Sequence, residues 1–395
     1  MSLSTIFMPC NYSGFFNPDF AAKWGVTDFD WSNAKQLWAN TKPMKCEEML
    51  LEQAEVVKQL NPHMRVFVYR NLVKALPWYS QVREKILDPA YAGWFLKFAH
   101  GVNGTYHQPQ CTKEKCSGFY HDQDQTPEHP SGDGSCVDEC DCGDGLPCGE
   151  YLWDHRNESL REWLIESFVL GTEGLGDPSI DGVFLDDGWS NTSQPAASWW
   201  PKEGYCDADV IGGPSEEYRN CTLDMGLKQQ DTTDITAEWR KTTELVQQAI
   251  VERGGYNWQM LSTTSGAPPR GDVDGCMAFF RSECGPDAPK ARHNAAWMLE
   301  FTNPKSLPLE AVTQDLASFL LVRGDFAWIG YGWKGCTSGA ATAESMYPRP
   351  EELDVDYGTP KGECEESAPG VFTRQWTKAQ VSFNCSSWSA EIKSD

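Results

Sequence analysis

An α/β fold, a (β/α)8 TIM barrel, is what this chain predicts, and three observations predict it. Short apolar runs alternate with stretches of helical period over most of the length. Several runs are apolar on both faces, as strands of a parallel sheet covered on both sides are. The long irregular stretches follow runs, where parallel α/β folds carry their loops. A doubly wound open sheet competes with the barrel. No Gly-x-Gly-x-x-Gly follows an early strand, so a dinucleotide site has no support.

Thr5-Ile6-Phe7-Met8-Pro9 is the first strand, followed by an aromatic loop over 15–38. Met49, Leu50, Val57 and Leu60 fall near helical spacing, so a helix is expected over 44–60, stopped by Asn61-Pro62. Arg65-Val66-Phe67-Val68-Tyr69 reads as a second strand, with a helix over 78–87 after it. Tyr151-Leu152-Trp153 reads as another strand. A helix over 158–170 follows, with Leu160, Trp163, Leu164 and Phe168 on one face; Asn157 is placed to cap it. Ile180 to Leu185 is the clearest strand, and it ends in Asp186-Asp187-Gly188-Trp189. A helix over 235–252 ends at Gly254-Gly255, and a strand over 257–261 comes next. Cys276 to Phe280 is read as a late strand leading into Glu283, before a helix over 309–322 and a strand over 326–333. The tail, at 371–376 and 379–383, alternates as antiparallel strands do, and 388–392 offers a third. The barrel is therefore expected over 1–340, with disulfide-rich loop insertions. A Cys-rich insertion occupies 101–150 and an irregular loop 189–232. Residues 341–395 form a small C-terminal antiparallel β segment packed on the barrel.

Bulk composition limits the partners. The net charge of −24 repels nucleic acid and anionic membranes, and no apolar run is long enough to span a bilayer. Fifteen cysteines are too many for an ordinary cytosolic enzyme and point to disulfides and an oxidising compartment. Asn-x-Ser/Thr sequons at Asn11, Asn103, Asn157, Asn191, Asn220 and Asn384 point the same way, as N-glycan acceptors. No signal peptide opens the chain, so secretion implies a leader that was trimmed or lies outside this sequence. The cysteine spacing of the insertion matches no standard zinc pattern; no metal and no cofactor are expected.

Carboxylates at the C-terminal end of a parallel strand lie where such folds place their chemistry. Side chains alternate along a strand, so Asp186 and Asp187 are not expected to face the axis together. Asp186 is read as the inward, catalytic acid, with Asp187 as a substrate contact. Both could instead cap the following helix. A glycosidase needs a second carboxylate, and Glu283 is the first choice, with Glu300 and Asp154 behind it. Polar groups at other strand ends converge on the same rim: Tyr69 and Arg70 with Asn71, then Asp154, His155 and Arg156. Asp28 and Asp30 reach the mouth from the loop after the first strand, or simply make turns. Trp189 and Trp333, both after strands, are stacking platforms for sugar rings, with Trp31, Trp199 and Trp200 as further candidates. No Gly-x-Ser-x-Gly, His-Glu-x-x-His or P-loop is present.

The order Asp154-His155-Arg156-Asn157, Leu160-Arg161-Glu162-Trp163-Leu164 and then Asp181-Gly182-Val183-Phe184-Leu185-Asp186-Asp187 resembles hypothetical glycoside-hydrolase-like TIM barrels. Those proteins carry a strand-end acid with Asn, a short helix, and a strand of Asp-Gly, two apolar residues, Leu and Asp. The closing Phe372-Thr373-Arg374-Gln375-Trp376 is similar to the Arg-acid-aromatic hairpin that ends such chains, with Gln375 where an acid is common. The Cys-rich insertion resembles secreted proteins of algae and related protists. The likeness covers 5–100 and 150–385 loosely. It implies a barrel, a carbohydrate substrate and an acid at Asp186; no motif in it carries Glu283. The expected function is a secreted glycoside hydrolase acting on a poly- or oligosaccharide by carboxylate acid/base catalysis. The alternatives are a non-catalytic carbohydrate-binding protein on the same scaffold and a disulfide-rich extracellular structural protein.

Overall fold

The computed structural model describes residues 4–96, 110–111, 116–117, 141–147, 151–187, 229–258, 268–284, 295–298, 311–324, 327–336 and 346–394. Seven parallel strands build its main sheet. They are β1 (Thr5–Phe7), β2 (Val26–Phe29), β3 (Arg65–Asn71), β4 (Gly182–Asp186), β5 (Tyr256–Trp258), β6 (Ala295–Met298) and β7 (Ala327–Tyr331). The order across the sheet is β5-β4-β3-β2-β1-β7-β6. That is the order around a barrel, opened between β5 and β6.

The sheet is strongly curled. Tyr256 of β5 and Trp328 of β7 have ring centroids 5.8 Å apart. Their strands are five places apart in the sheet, roughly 24 Å if it were flat. Phe67 touches both rings, at 6.0 and 6.4 Å, and the Arg65 guanidinium lies 4.6 Å from the Tyr256 ring. These side chains fill the concave side, and the register carries that face along each strand. Gly182 pairs with Phe67, Phe184 with Tyr69, Asp186 with Asn71, and Asp28 with Phe67. At Gly182 a Cβ would come within 2.5 Å of the Phe67 ring, so only glycine lets that ring lie flat against β4. Val66, Val68, Val183 and Leu185 face the opposite, helix-covered side. Among the described residues no eighth strand joins β5 to β6, so the fold shown is a curled parallel sheet of barrel order rather than a closed (β/α)8 barrel.

Helices α1 (Pro18–Ala21), α2 (Lys35–Asn40), α3 (Cys46–Leu60), α4 (Ser80–Leu87), α5 (Glu158–Trp163), α6 (Gln229–Glu252), α7 (Val273–Cys284) and α8 (Val312–Val322) accompany the sheet. In α3, Leu50, Ala54 and Val57 form the buried stripe, and Glu47 and Glu48 occupy the first turn, where the helix dipole favours acids. The α3 helix packs on β2 and β3, and α6 packs on β5. The Asn157 side chain caps α5 by accepting from the Ser159 and Leu160 amides, as its position in the sequence predicts.

The tail forms an antiparallel sheet of β8 (Glu365–Ala368), β9 (Val371–Gln375), β10 (Ala379–Asn384) and β11 (Ser389–Ser394). Helix α8 lies against it. Disulfides Cys276–Cys385 and Cys284–Cys364 tie α7 to it. A third disulfide, Cys10–Cys336, joins the segments that follow β1 and β7.

Three expectations are corrected. The aromatic loop at 15–38 contains β2, a strand too short and too polar to show its period. Tyr151–Leu152 pairs antiparallel with Lys74–Ala75 and is no part of the main sheet, so Asp154 does not end a barrel strand. The run from Cys276 to Phe280 is helical: the two buried residues are Cys276 and Phe280, one turn apart, and a strand would bury every second residue.

Candidate active site

The C-terminal ends of β2, β3 and β4 bring four aspartates and a tyrosine together. The Tyr69 hydroxyl donates to Asp186 Oδ2 at 2.9 Å. Asn71 Nδ2 donates to Tyr69 Oη at 2.8 Å and to Asp187 Oδ2 at 2.7 Å. The Asn71 amide is held in that orientation because its Oδ1 accepts from the Val73 and Lys74 backbone amides. Lys74 Nζ lies 3.4 Å from Asp187. Strand alternation alone would separate the two adjacent acids. Asp187 leaves the strand with φ at +66°, and this left-handed turn brings its carboxylate back to Asn71. Both acids thus join one hydrogen-bonded chain, Asp187–Asn71–Tyr69–Asp186.

Burial, followed by the charges of Asp187 and Asp30, pushes the Asp186 carboxyl up to about 7; the Tyr69 hydrogen bond pulls the other way. Asp28 sits on the concave face of β2 with no exposed surface. Neither of its carboxylate oxygens has a hydrogen-bond partner. Burial, then Asp30 and Asp186, raise its pKa well above the ordinary carboxylate range. Asp30 is also buried, and its Oδ1 accepts from the Ser32 amide at 2.8 Å. Burial and the same acids hold the Tyr69 phenol protonated, so toward Asp186 it acts as a donor.

Several of the other expected site residues lie elsewhere or are otherwise engaged. Arg70 turns to the helix side of β3. Its guanidinium donates to the carbonyls of Phe168, Tyr69 and Glu173. His155 is fully buried, its Nε2 against the Leu72 carbonyl, and burial lowers its pKa to about 4, so it is neutral at physiological pH. Arg156 holds Asp154 through Nε and Nη2, at 2.8 and 2.7 Å, and Asp231 through Nη1. Glu283 stands in the last turn of α7, beside the Cys284–Cys364 disulfide of the C-terminal sheet. The strand that was to carry it to the mouth does not exist. Trp333 follows β7 and is 39% exposed, open to stacking. Trp31 is half-buried against Trp38 and Trp78. Trp189, Trp199, Trp200 and Glu300 lie outside the described residues, as do Asn103, Asn191 and Asn220. Asn11 is buried, with its Nδ2 donating to the Phe15 carbonyl, so that nitrogen is already engaged.

Sequence reading missed Lys74 and the place of Asp28. The signal for Lys74 was its position just past the end of β3. Asp28 on the concave face requires β2, which the sequence hid. No group of side chains suited to a metal ion occurs among the described residues.

No family model matches this chain, and no curated protein matches it. Solved structures similar to it include sucrose 6F-phosphate phosphorylase from Thermoanaerobacter thermosaccharolyticum, with TM-score 0.47 and 9% identity, over 99% of this chain and 95% of that one. Cyclic α-maltosyl-(1→6)-maltose hydrolase from Arthrobacter globiformis has TM-score 0.45 and 11% identity, over 96% and 90%. The α-amylase from Geobacillus thermoleovorans has TM-score 0.39 and 9% identity, over 96% and 86%. Likeness at this level fixes neither the fold nor the chemistry of the chain.

Proposed function

We propose that this protein is a glycoside hydrolase whose general acid is Asp186. The observation that carries this reading is a half-buried carboxyl with its pKa pushed up to about 7, at a parallel strand's C-terminal end, hydrogen-bonded to Tyr69 and flanked by further carboxylates. Such an acid keeps its proton near neutral pH and can deliver it to a leaving oxygen, while a neighbouring carboxylate serves as base or nucleophile. In the hydrolysis the glycosidic C–O bond breaks as Asp186 protonates the departing oxygen. Water supplies the hydroxyl to the anomeric carbon, and its proton restores the acid.

The partner carboxylate is Asp30 or Asp187, since the charges of both reach Asp186. Asp30 follows β2 and Asp186 ends β4, two strands apart and roughly 10 Å between backbones, with Tyr69 between them. Glu283, the partner expected from sequence, would have to come from α7. Trp333 would stack a sugar ring at the rim. The disulfides support folding in an oxidising compartment, hence secretion. Closure of the barrel between β5 and β6 is part of the same proposal.

Asp186→Asn, tested on a panel of oligosaccharides that the wild type cleaves, is expected to lose activity. Unchanged cleavage would remove Asp186 from catalysis. If the wild type binds a glycan and cleaves none, the non-catalytic carbohydrate-binding reading replaces this one.

A further inference from the structure

Asp28 is not used by the chemistry above. Its β2 register with Phe67 sets it on the concave face, below the strand ends where Asp186 and Asp187 sit. It is closed to solvent and both oxygens are unpartnered. A buried carboxyl without a partner is costly and calls for an occupant. Among the described residues, no basic side chain engages Asp28 or Asp186: Lys74 sits on Asp187, and Arg70 is turned to the far side of β3. Once ionised, Asp28 can only accept, and a buried carboxylate is tolerated only beside a cation, so the group that would hold its ionised form is a compact donor with positive charge. The whole chain favours the same ligand, because its net charge of −24 attracts a polycation and repels sulfated or uronic glycans.

We infer that the glycan taken at this mouth carries free amino groups, and that Asp28 pairs with the ammonium of the bound sugar. This names the substrate class of the site proposed above and rests on that reading only for the cleavage step. The ammonium belongs on Asp28 rather than Asp186, because a cation on Asp186 would drive off the proton the general acid must keep. As the ammonium enters, Asp28 gives its proton to solvent, so no net charge is added beside Asp186. Asp28 has no exposed surface, so a pair formed there is little screened by salt.

The test is calorimetric binding to the intact protein. The probes are glucosamine and galactosamine oligomers, their N-acetylated forms and the neutral hexose oligomers. The amino forms are expected to bind about tenfold to a hundredfold more tightly than either counterpart, the worth of one charged hydrogen-bonded contact. Repeating the titration in buffers of different ionisation enthalpy is expected to show release of about one proton per site. The near-isosteric Asp28→Asn is expected to abolish both the preference and the proton release, with its fold checked by circular dichroism. Equal binding of the three classes, preference for acetylated or neutral sugars, or no binding at all overturns the inference. The wild-type titrations decide this even if Asp28→Asn does not fold. Cleavage assays separate the two claims. Cleavage of neutral glycans alone leaves the hydrolase standing without the amino-sugar preference. Selective binding of amino sugars without cleavage leaves the preference standing without the hydrolase.

Discussion

Tyr69 of β3 donates its hydroxyl hydrogen to Asp186 of β4 across 2.9 Å, and this bond opposes every other influence on that acid save the Asp187 backbone amide. A donor to the charged form stabilises it. Tyr69→Phe is therefore expected to raise the Asp186 pKa further above 7 and to move the alkaline limb of the pH profile of kcat/KM upward. Loss of one hydrogen bond also lowers the rate by roughly threefold to tenfold. An unmoved or lowered limb would contradict the arrangement.

Asp186→Asn is expected to lower kcat/KM by about 100- to 10,000-fold, the usual worth of a general acid. The same substitution stabilises the fold at high pH. The folded-state pKa is raised, from 3.8 to about 7, so the contribution to stability is complete below the unfolded value and is lost as pH rises through the folded one. At ~1.4 kcal/mol per unit the full effect is a few kcal/mol. Thermal melts of the two proteins should thus diverge between acid and neutral pH, the variant becoming the more stable.

Arg70→Met removes a fully buried guanidinium that serves the carbonyls of Phe168, Tyr69 and Glu173 and lies 5.1 Å from the Phe168 ring. Leaving buried carbonyls without donors is expected to cost about 3 kcal/mol or more. Denaturant unfolding measures the loss. A substrate-binding arginine would instead raise KM with the midpoint unchanged.

The C-terminal sheet depends on its two disulfides. Cys276–Cys385 and Cys284–Cys364 span 109 and 80 residues, and each closed loop contributes about 2–5 kcal/mol. The double variant Cys276→Ala, Cys385→Ala is expected to lower Tm and to expose the strands after residue 364 to limited proteolysis.

Strands with residues buried on both faces, such as β3 and β4, were legible because every position in them is apolar or ends the run. Helices α3, α6 and α8 announced themselves by period, and α5 by its cap. The expectation that failed in α7 turned on a five-residue apolar run, which a helix and a strand share until burial one turn apart tells them from burial at every second residue. β2 escaped because its four residues include an inward-facing acid. The site was half legible. Asp186 and Tyr69 stood at strand ends, and proximity in sequence made both adjacent acids visible. Their union through Asn71 needed the left-handed turn at Asp187, which alternation does not foresee. Arg70 was read as a rim group because a strand end marks position along the axis but not the face on which a side chain leaves it, and His155 because the short strand before it pairs outside the main sheet.

The bond between Cys10 and Cys336 spans 326 residues and has a mechanical consequence. Strands β2 to β7 all lie inside the covalent ring it closes. A molecule pulled by its two ends transmits tension from the first ten residues through that sulfur bridge to the tail, and strands β2 to β7 bear no load. Extension under force should lengthen only the terminal segments until a reductant is added, after which the ring opens and the enclosed strands can be peeled apart.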